Sequence, residues 1–273
     1  MKIGRYADAR IAVVERDSVR DITEWAFASS TRHTEDPMLA AIDALKDGCG
    51  NAEGRSVPAP VRWRAPLAQP SKIIAAAANY ERHTREMNPG VAAPGGVREK
   101  GFFLKAPTSI IGPDETIRLP FADRRTDHEA ELAVVMGRRA RHVAPEAALE
   151  HVFGYTCLLD ITVRGKEDRG LRKSFDTFTP MGPWIVTRDE IADPNALAIA
   201  CRVNGVARQD DSTSAMTMKV PELIAWISSV MTLLPGDVIA TGTPAGVGPL
   251  APGDRIEVEI EKIGAFGVDV ASA

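Results

Sequence analysis

The sequence contains only three cysteines, Cys49, Cys157 and Cys201, which are far apart along the 273-residue chain. An odd number at such spacing does not indicate a disulfide framework, and no CxxC pair is present for zinc binding or redox chemistry. GxSxG and HExxH motifs are also absent, which excludes two common hydrolase patterns. The low cysteine count fits a metal site built from oxygen ligands rather than thiolates.

The sequence also lacks a long apolar run and an excess of basic residues. No apolar stretch approaches the roughly 18 residues of a membrane helix, and the opening MKIGRYADAR does not resemble a signal peptide. Lys and Arg number 33 against 37 Asp and Glu, so no basic face for nucleic acid is expected. We therefore expect a globular, cytoplasmic protein that binds neither nucleic acid nor membrane.

The first 66 residues differ in pattern from the rest. They contain a short apolar strand at 10–15 and a helix that begins at Asp36-Pro37. A stretch rich in Gly and Pro at 48–60 is typical of a linker. We expect a small N-terminal α/β domain over residues 1–66.

Residues 67–273 consist mostly of short predicted strands. Asn204-Gly205 indicates a tight hairpin, and the apolar spacing over 220–233 predicts the main helix. A helix is also expected over 146–152, and a last hairpin near Gly264 and Gly267. Many short strands with few helices predict a β-rich α+β fold rather than a doubly wound sheet.

Three acidic residues have the pattern of ligands for a hard cation. Glu129 and Glu131 fall on one face of a predicted strand, because strand side chains alternate. Asp160 ends another apolar strand, where a buried charge is costly. Carboxylate oxygens without nearby His or Cys suit Mg²⁺. From spacing alone, a solvated strand face and an ordinary strand-end aspartate remain the simpler interpretation.

His83 and Glu86 have the spacing of a catalytic pair. On a helix, residues three apart lie on one face, and a carboxylate beside imidazole raises its basicity. The Gly- and Pro-rich segment at 89–101 that follows is typical of a mobile loop and would let this helix act as a lid. A surface His–Glu pair is the alternative, and the spacing alone favours it. The remaining histidines are expected at the surface: His33, His128, His142 and His151.

Lys173 and the glycine-rich run at 242–248 (GTPAGVG) are further candidates. A lysine in the sequence RKSFD is able to neutralise a substrate carboxylate or enolate, although a solvated basic stretch is the more common explanation. The GTPAGVG run lacks the Lys-Ser/Thr ending of a phosphate loop. We expect it to form a tight loop that offers Thr243 and backbone N–H groups to a ligand.

Taken together, these segments resemble the fumarylacetoacetate hydrolase family. The motifs occur in the family's order over residues 72–270, about three quarters of the chain. They are 79–86 (NYERHTRE), 103–105 (FLK), 129–135 (EAELAVV), 154–155 (GY), 160–164 (DITVR), 173–176 (KSFD), 182–183 (GP), 235–237 (PGD) and 242–248 (GTPAGVG).

The resemblance implies a β-roll catalytic domain over residues 67–273 and a homodimer. It implies Mg²⁺, or Mn²⁺, held by Glu129, Glu131 and Asp160. In hydrolytic members a His–Glu pair on a lid helix activates water, and here that pair would be His83 and Glu86.

The resemblance also implies a substrate site. Lys173 and Arg164 would stabilise an oxyanion or hold a carboxylate, and Tyr80, Glu167 and Thr243 would contact the substrate. Many members carry Asp and Gln where this chain has Gly165 and Glu167. An ionised Glu accepts hydrogen bonds but does not donate them, so the usual oxyanion hole is altered here.

These features predict a Mg²⁺-dependent hydrolase that cleaves a C–C bond in acylpyruvates or other β-diketone 2-oxo acids from aromatic breakdown. The alternative within the family is a decarboxylase or isomerase of oxaloacetate or hydroxymuconate-type dicarboxylates, which uses the same metal-enolate chemistry. A third hypothesis is a non-catalytic, metal-dependent ligand-binding relative. The expected binding partner is a small anionic 2-oxo acid.

Overall fold

A computed structural model describes residues 1–7, 9–15, 18–47, 52–91 and 95–273 of the chain. Cys49 and parts of the two predicted loops, 48–60 and 89–101, lie outside the described residues. Most described elements are strands, and the helices are short. The expectation of a β-rich α+β fold is therefore confirmed.

The strands account for most of the core. They are β1 (Lys2–Tyr6), β2 (Arg10–Val14), β3 (Val19–Asp21), β4 (Arg55–Val57), β5 (Trp63–Arg64), β6 (Ile73–Ala76), β7 (Phe102–Lys105), β8 (Ile110–Ile111), β9 (Thr116–Leu119), β10 (Thr126–His128), β11 (Ala130–Met136), β12 (Val152–Leu159), β13 (Thr162–Val163), β14 (Thr179–Thr187), β15 (Ala198–Val203), β16 (Val206–Ser212), β17 (Val238–Ala240), β18 (Gly248–Pro249), β19 (Arg255–Ile260) and β20 (Gly264–Ser272).

The α-helices are α1 (Thr23–Ser29), α2 (Pro37–Leu45), α3 (Glu81–Glu86), α4 (Val97–Lys100), α5 (Arg169–Arg172) and α6 (Val220–Val230). The 3₁₀ helices of the described residues are Pro107–Ser109, Pro145–His151, Arg188–Glu190 and Thr213–Ala215. In the part of the chain that the structure describes, no helix has the length and apolar character needed to cross a membrane.

Within the described residues the strands form three sheets. The largest has 12 strands in the order β4-β3-β2-β1-β14-β12-β11-β17-β6-β7, with β5 paired to β1 and β8 to β14. A 5-stranded sheet has the order β16-β15-β19-β20-β9, and a 3-stranded sheet the order β13-β10-β18. The pairs β17–β6, β20–β9 and β14–β8 are parallel, among antiparallel neighbours. This mixture differs from the parallel sheet of a doubly wound fold.

The central strand β11 is buried on both faces. Leu132 and Val134 belong to one apolar cluster, to which α6 contributes. Ala133 and Val135 belong to a second cluster, to which α2 contributes. The predicted alternation of side chains along this strand is confirmed, and a charged residue on β11 is consequently removed from water.

The N-terminal segment continues the main sheet. Ile3 of β1 pairs with Ile185 of β14, and Met38 of α2 lies in the same apolar cluster as Ile73 of β6. Residues before and after position 66 therefore share one sheet and one core cluster. The division into two domains at this position stays a prediction.

The predicted hairpin and main helix are present, with one change of boundary. Asn204 and Gly205 have φ values of 54° and 75° and join β15 to β16, as the tight turn requires. Helix α6 ends at Val230 rather than at residue 233. The reason is that Met231 is extended and Leu233 pairs with Ala140.

Two local expectations need correction. The segment Pro145–His151 is helical as expected, but it is a 3₁₀ helix and Val152 already belongs to β12. Gly267 lies inside β20 and not in the last turn. A Cβ at Gly267 would lie 2.8 Å from Arg255 Nη2, so the glycine makes room for an arginine side chain on β19.

Asn79 links the end of β6 to the segments that precede α6 and follow β17. Its Nδ2 donates to the carbonyls of Met218 at 3.0 Å and Thr241 at 2.8 Å. Its Oδ1 accepts from the Met218 amide at 2.8 Å and the Thr217 hydroxyl at 3.0 Å. The side chain is 1% exposed, so these groups have little access to water if the amide is removed.

We predict that Asn79→Ala destabilises the protein by about 3–5 kcal/mol, because buried carbonyl and amide groups lose their partners. Urea denaturation followed by circular dichroism measures this free energy of unfolding. Asn88→Ala, which removes a single bond to the Thr84 carbonyl at a partly buried position, is the control and is expected to cost about 1 kcal/mol. Equal losses in the two variants would contradict the prediction.

Candidate active site

Three carboxylates meet where β11 and β12 lie side by side. Glu131 is the second residue of β11, Glu129 directly precedes this strand, and Asp160 directly follows β12. The Asp160 amide donates to the Glu129 carbonyl at 2.8 Å. One oxygen of each carboxylate lies within 4.8 Å of the others, and all three residues are buried. The structure therefore brings together the three residues that the sequence predicts as metal ligands.

Two buried lysines neutralise part of this negative charge. Lys173 Nζ lies 2.7 Å from Glu129 Oε2 and 2.5 Å from Asp160 Oδ2. Lys105 Nζ contacts Asp160 and donates to the Phe178 carbonyl at 2.9 Å. Burial disfavours the charged form of both lysines. The carboxylates outweigh burial at Lys173 and raise its pKa, whereas burial prevails at Lys105 and lowers its pKa.

Arg164 adds a third cation to the cluster. Its Nη2 lies 2.8 Å from Glu129 Oε1, and its Nε donates to Asp127 Oδ2 at 2.7 Å. Asp127 also accepts two bonds from Arg125, at 2.7 and 3.0 Å. Burial opposes ionisation of Glu129, but Lys173 and Arg164 outweigh it and hold the pKa of this carboxyl below its ordinary range. Glu129 is therefore kept as a carboxylate.

Glu131 has a different environment. Its Oε2 accepts a hydrogen bond from the Gly242 amide at 2.7 Å. No Lys or Arg nitrogen of the described residues lies within 4.0 Å of its carboxylate. Burial and the neighbouring Asp160 raise the pKa of Glu131 well above its ordinary value. A buried carboxylate that faces two others and has no cation of its own fits a divalent ion with oxygen ligands, such as Mg²⁺ or Mn²⁺.

His83 and Glu86 lie on α3, beside a cavity of about 550 Å³. The His83 Nδ1 atom is 3.5 Å from Glu86 Oε2, which is an ion-pair distance and longer than a strong hydrogen bond. The His83 side chain is 12% exposed. His83, Glu129 and Glu131 all line the cavity. The predicted general base and two of the three predicted metal ligands therefore line one space.

The loop over residues 242–248 holds Glu86 in position. Both Glu86 carboxylate oxygens lie 3.1 Å from the Gly246 amide nitrogen. Gly246 has a φ of 100°, and a Cβ there would lie 2.0 Å from the Arg208 carbonyl oxygen, so only glycine fits. The loop was expected to offer backbone N–H groups to a ligand. Two of these groups bond to the protein instead: the Gly242 amide donates to Glu131, and the Gly246 amide donates to Glu86.

The four residues predicted to contact substrate occupy different environments. Thr243 and Arg164 line the cavity. Tyr80 is buried at the N-terminus of α3, and its hydroxyl has no hydrogen-bond partner among the described residues. Glu167 lies at the surface, with its carboxylate 2.9 Å from Arg124. The substrate contacts of all four residues stay predictions.

The expectation that His128 lies at the surface is wrong. The residue is 1% exposed within β10, and its Nδ1 lies 3.3 Å from Gln209 Oε1. Burial lowers the pKa of this imidazole. The charged neighbours Asp127 and Glu129 led to the expectation of an exposed segment. Both neighbours are in fact buried, because arginines and a lysine pair with them.

Gln209 connects β11 to the loop at 242–248, and the sequence pattern did not indicate it. Its Oε1 accepts from the Ala130 amide at 3.0 Å. Its Nε2 donates to Thr243 Oγ1 at 2.7 Å and to the Pro244 carbonyl at 2.8 Å. Gln209 is fully buried within the polar strand VARQDDS. Only its tertiary contacts distinguish it from the solvated residues around it.

Comparison with known proteins places this site within a family. A family model described as fumarylacetoacetate (FAA) hydrolase C-terminal matches residues 72–271. A maleylpyruvate hydrolase from Aquipseudomonas alcaligenes is 44% identical over 291 residues, which cover 100% of both chains.

Solved structures share the fold over the whole chain. The maleylpyruvate hydrolase from Sphingobium sp. SYK-6, in complex with manganese (II) ion and pyruvate, has 38% identity and a TM-score of 0.82, with 100% of both chains covered. A 2-hydroxyhepta-2,4-diene-1,7-dioate isomerase from Mycobacterium marinum has 35% identity and a TM-score of 0.76, with 100% of this chain and 98% of the other covered. The resemblance inferred from the order of the motifs is thus confirmed, and this chain belongs to the fumarylacetoacetate hydrolase family.

Proposed function

We propose that this protein is a divalent-metal-dependent hydrolase that cleaves a C–C bond in acylpyruvates or related β-diketone 2-oxo acids. The observation that carries the proposal is the shared cavity, because His83 lines the same space as Glu129 and Glu131 of the buried carboxylate cluster. The relatives named maleylpyruvate hydrolase, one of them bound to manganese and pyruvate, support the same activity and its place in aromatic breakdown.

Glu129, Glu131 and Asp160 are the proposed ligands of Mg²⁺ or Mn²⁺. When bound, such an ion polarises the oxygens of a 2-oxo acid and offsets negative charge that develops on them. Lys173 and Arg164 contact Glu129, so they fix this ligand and keep it ionised. The same two cations place positive charge beside the cavity, where an oxyanion or a substrate carboxylate is stabilised.

His83 is the proposed general base, with Glu86 as the residue that orients it. His83 takes a proton from water, which attacks the acyl carbonyl carbon of the substrate. The bond between that carbon and the pyruvate methylene then breaks, and its electron pair stays with the pyruvate fragment. A proton returns to this fragment, so the products are a carboxylic acid and pyruvate. Tyr80, Arg164, Glu167 and Thr243 remain the proposed substrate contacts, among which Thr243 and Arg164 line the cavity.

The second candidate is a decarboxylase or isomerase that uses the same metal site. The surface position of Glu167 favours it, since a side chain paired with Arg124 supplies no oxyanion donor. The family also contains the isomerase from Mycobacterium marinum described above. A non-catalytic relative that binds 2-oxo acids is the third candidate. A cytoplasmic location and a homodimer complete the proposal.

We predict that Glu131→Gln weakens Mn²⁺ binding at least about tenfold, because it removes one charged oxygen ligand. Isothermal titration of the metal-free protein with Mn²⁺, and then with Mg²⁺, measures the affinities. Glu257→Gln, on the exposed face of β19, is the matched control and is expected to bind as the parent does. An unchanged affinity in Glu131→Gln would rule out the proposed triad.

We predict that His83→Ala lowers kcat for acylpyruvate hydrolysis at least about 100-fold, because water loses its general base. Mn²⁺ affinity is expected to remain unchanged, since His83 is not a proposed ligand. His33→Ala, at an exposed position, is the control. The assay uses acetylpyruvate, fumarylpyruvate and oxaloacetate with Mg²⁺ present.

The outcome of this assay separates the three candidates. Hydrolysis that His83→Ala abolishes supports the hydrolase. Decarboxylation of oxaloacetate that survives the substitution supports the second candidate instead. Metal-dependent binding of pyruvate without turnover of any substrate supports the third.

A further inference from the structure

Asp127 is a buried carboxylate to which the proposed reaction assigns no part. It is the middle residue of β10 and is 0% exposed. Arg125 donates to its Oδ1 at 2.7 Å and to its Oδ2 at 3.0 Å, and Arg164 Nε donates to Oδ2 at 2.7 Å. Removal of a carboxylate from water is costly, and three charged hydrogen bonds from two arginines offset that cost here.

The strand geometry places Arg164 between two carboxylates. Asp127 and Glu129 are two residues apart along an extended chain, so their side chains point to the same side. Asp127 pairs with Thr162 of β13, and Arg164 directly follows β13. The Arg164 amide also donates to the Arg125 carbonyl at 2.8 Å. These backbone contacts fix the position of the Arg164 main chain relative to both carboxylates.

The two carboxylates contact Arg164 in different ways. Nε of Arg164 donates a hydrogen bond to Asp127. Nη2 lies 2.8 Å from Glu129 Oε1, but no acceptor among the described residues is aligned with this buried nitrogen for a hydrogen bond. The directional contact is therefore the one to Asp127, and it determines which way the planar guanidinium faces. The Nη2 group keeps N–H donors for a ligand.

Arg164 and Arg125 both line the cavity. The Arg164 side chain is 20% exposed, and a guanidinium with little access to water and a free N–H suits a carboxylate or carbonyl oxygen of a ligand. Arg125 binds both oxygens of Asp127. These paired bonds fix the plane of the carboxylate, so that Oδ2 stays directed at Arg164.

We propose that Asp127 is a positioning residue, which orients Arg164 so that the Nη2 group meets the 2-oxo acid group of the substrate. The inference rests on the proposed function for the contact between Arg164 and substrate. Asp127 itself touches neither substrate nor metal and acts through Arg164. Without the Asp127 carboxylate, the guanidinium is free to turn and pair more closely with Glu129, which withdraws it from the ligand.

A double-mutant cycle on pyruvate binding tests this role without turnover. Isothermal titration with pyruvate, at saturating Mn²⁺, compares the parent with Asp127→Asn, Arg164→Met and the double variant. Asp127→Asn is expected to weaken pyruvate binding about tenfold, as the loss of a charged hydrogen bond allows. The double variant is expected to bind no more weakly than Arg164→Met, because no guanidinium is left to orient. Losses that multiply in the double variant, or a parent affinity in Asp127→Asn, overturn the proposal.

Asp237→Asn is the matched control for the loss of a buried charge. Asp237 is 0% exposed, pairs with Lys72 and Ser71, and accepts from the Leu234 amide at 2.7 Å, and it lies outside the described lining of the cavity. Urea denaturation is expected to show a lower free energy of unfolding in both Asp→Asn variants, whereas pyruvate binding is weakened in Asp127→Asn alone. Equal losses of pyruvate affinity in the two variants would show that the role is only structural.

The Mn²⁺ affinity of Asp127→Asn is titrated before pyruvate is added. It is expected to change less than the pyruvate affinity, because Glu129 keeps its contact with Lys173. A loss confined to Mn²⁺ overturns the proposal, since Asp127 would then support the metal ligand and not the arginine.

Turnover of acetylpyruvate by the same proteins distinguishes this proposal from the hydrolase function. If the cycle couples Asp127 to Arg164 and the parent does not cleave acetylpyruvate, the positioning role stands and the hydrolase function falls. If the parent cleaves it and Asp127→Asn keeps the parent's KM and pyruvate affinity, the hydrolase stands and the positioning role falls. Support for both requires a KM for acetylpyruvate raised about tenfold in Asp127→Asn, with kcat changed less.

Discussion

Burial of three carboxylates within 4.8 Å of one another is the constraint on which the site depends. Such a cluster repels itself, and the low-dielectric interior strengthens the repulsion. Lys105, Lys173 and Arg164 compensate Glu129 and Asp160 by direct contact. This compensation is incomplete at Glu131, and the remaining negative charge suits the divalent cation that we propose for this site. The pairing of β11 with β12 supplies the rigid frame, because it fixes the backbone of all three acidic residues.

The parts of the site that follow from local periodicity were predictable from the sequence. Alternation along a strand placed Glu129 and Glu131 on one face, and helical spacing brought His83 close to Glu86. The contact between Asp160 and the Glu pair depends on the register of β11 against β12, which no local pattern encodes. Here the order of the family motifs supplied the missing long-range information.

The burial of a residue was not predicted where its contacts come from segments distant in sequence. His128 and Gln209 lie in polar stretches that look solvated, yet both are buried. Their burial follows from the packing of β10, β16 and the loop at 242–248, segments at least 30 residues apart in sequence. The polarity of neighbouring residues predicts the exposure of a side chain well on a surface strand. It fails where acidic residues are buried because Lys and Arg from distant segments pair with them. The end of α6 differs from expectation for a similar reason, since Leu233 pairs with the distant Ala140.

The contact between Glu86 and the Gly246 amide links the arrangement of the His83–Glu86 pair to the docking of α3. A helix of six residues is far shorter than the roughly 12–15 that an isolated helix needs in water. Its helical state is consequently sustained by tertiary contacts, and the bond to Gly246 is one of them. Undocking of α3 would also separate Glu86 from the loop that holds it beside His83. The docking of α3 and the orientation of His83 are therefore lost together.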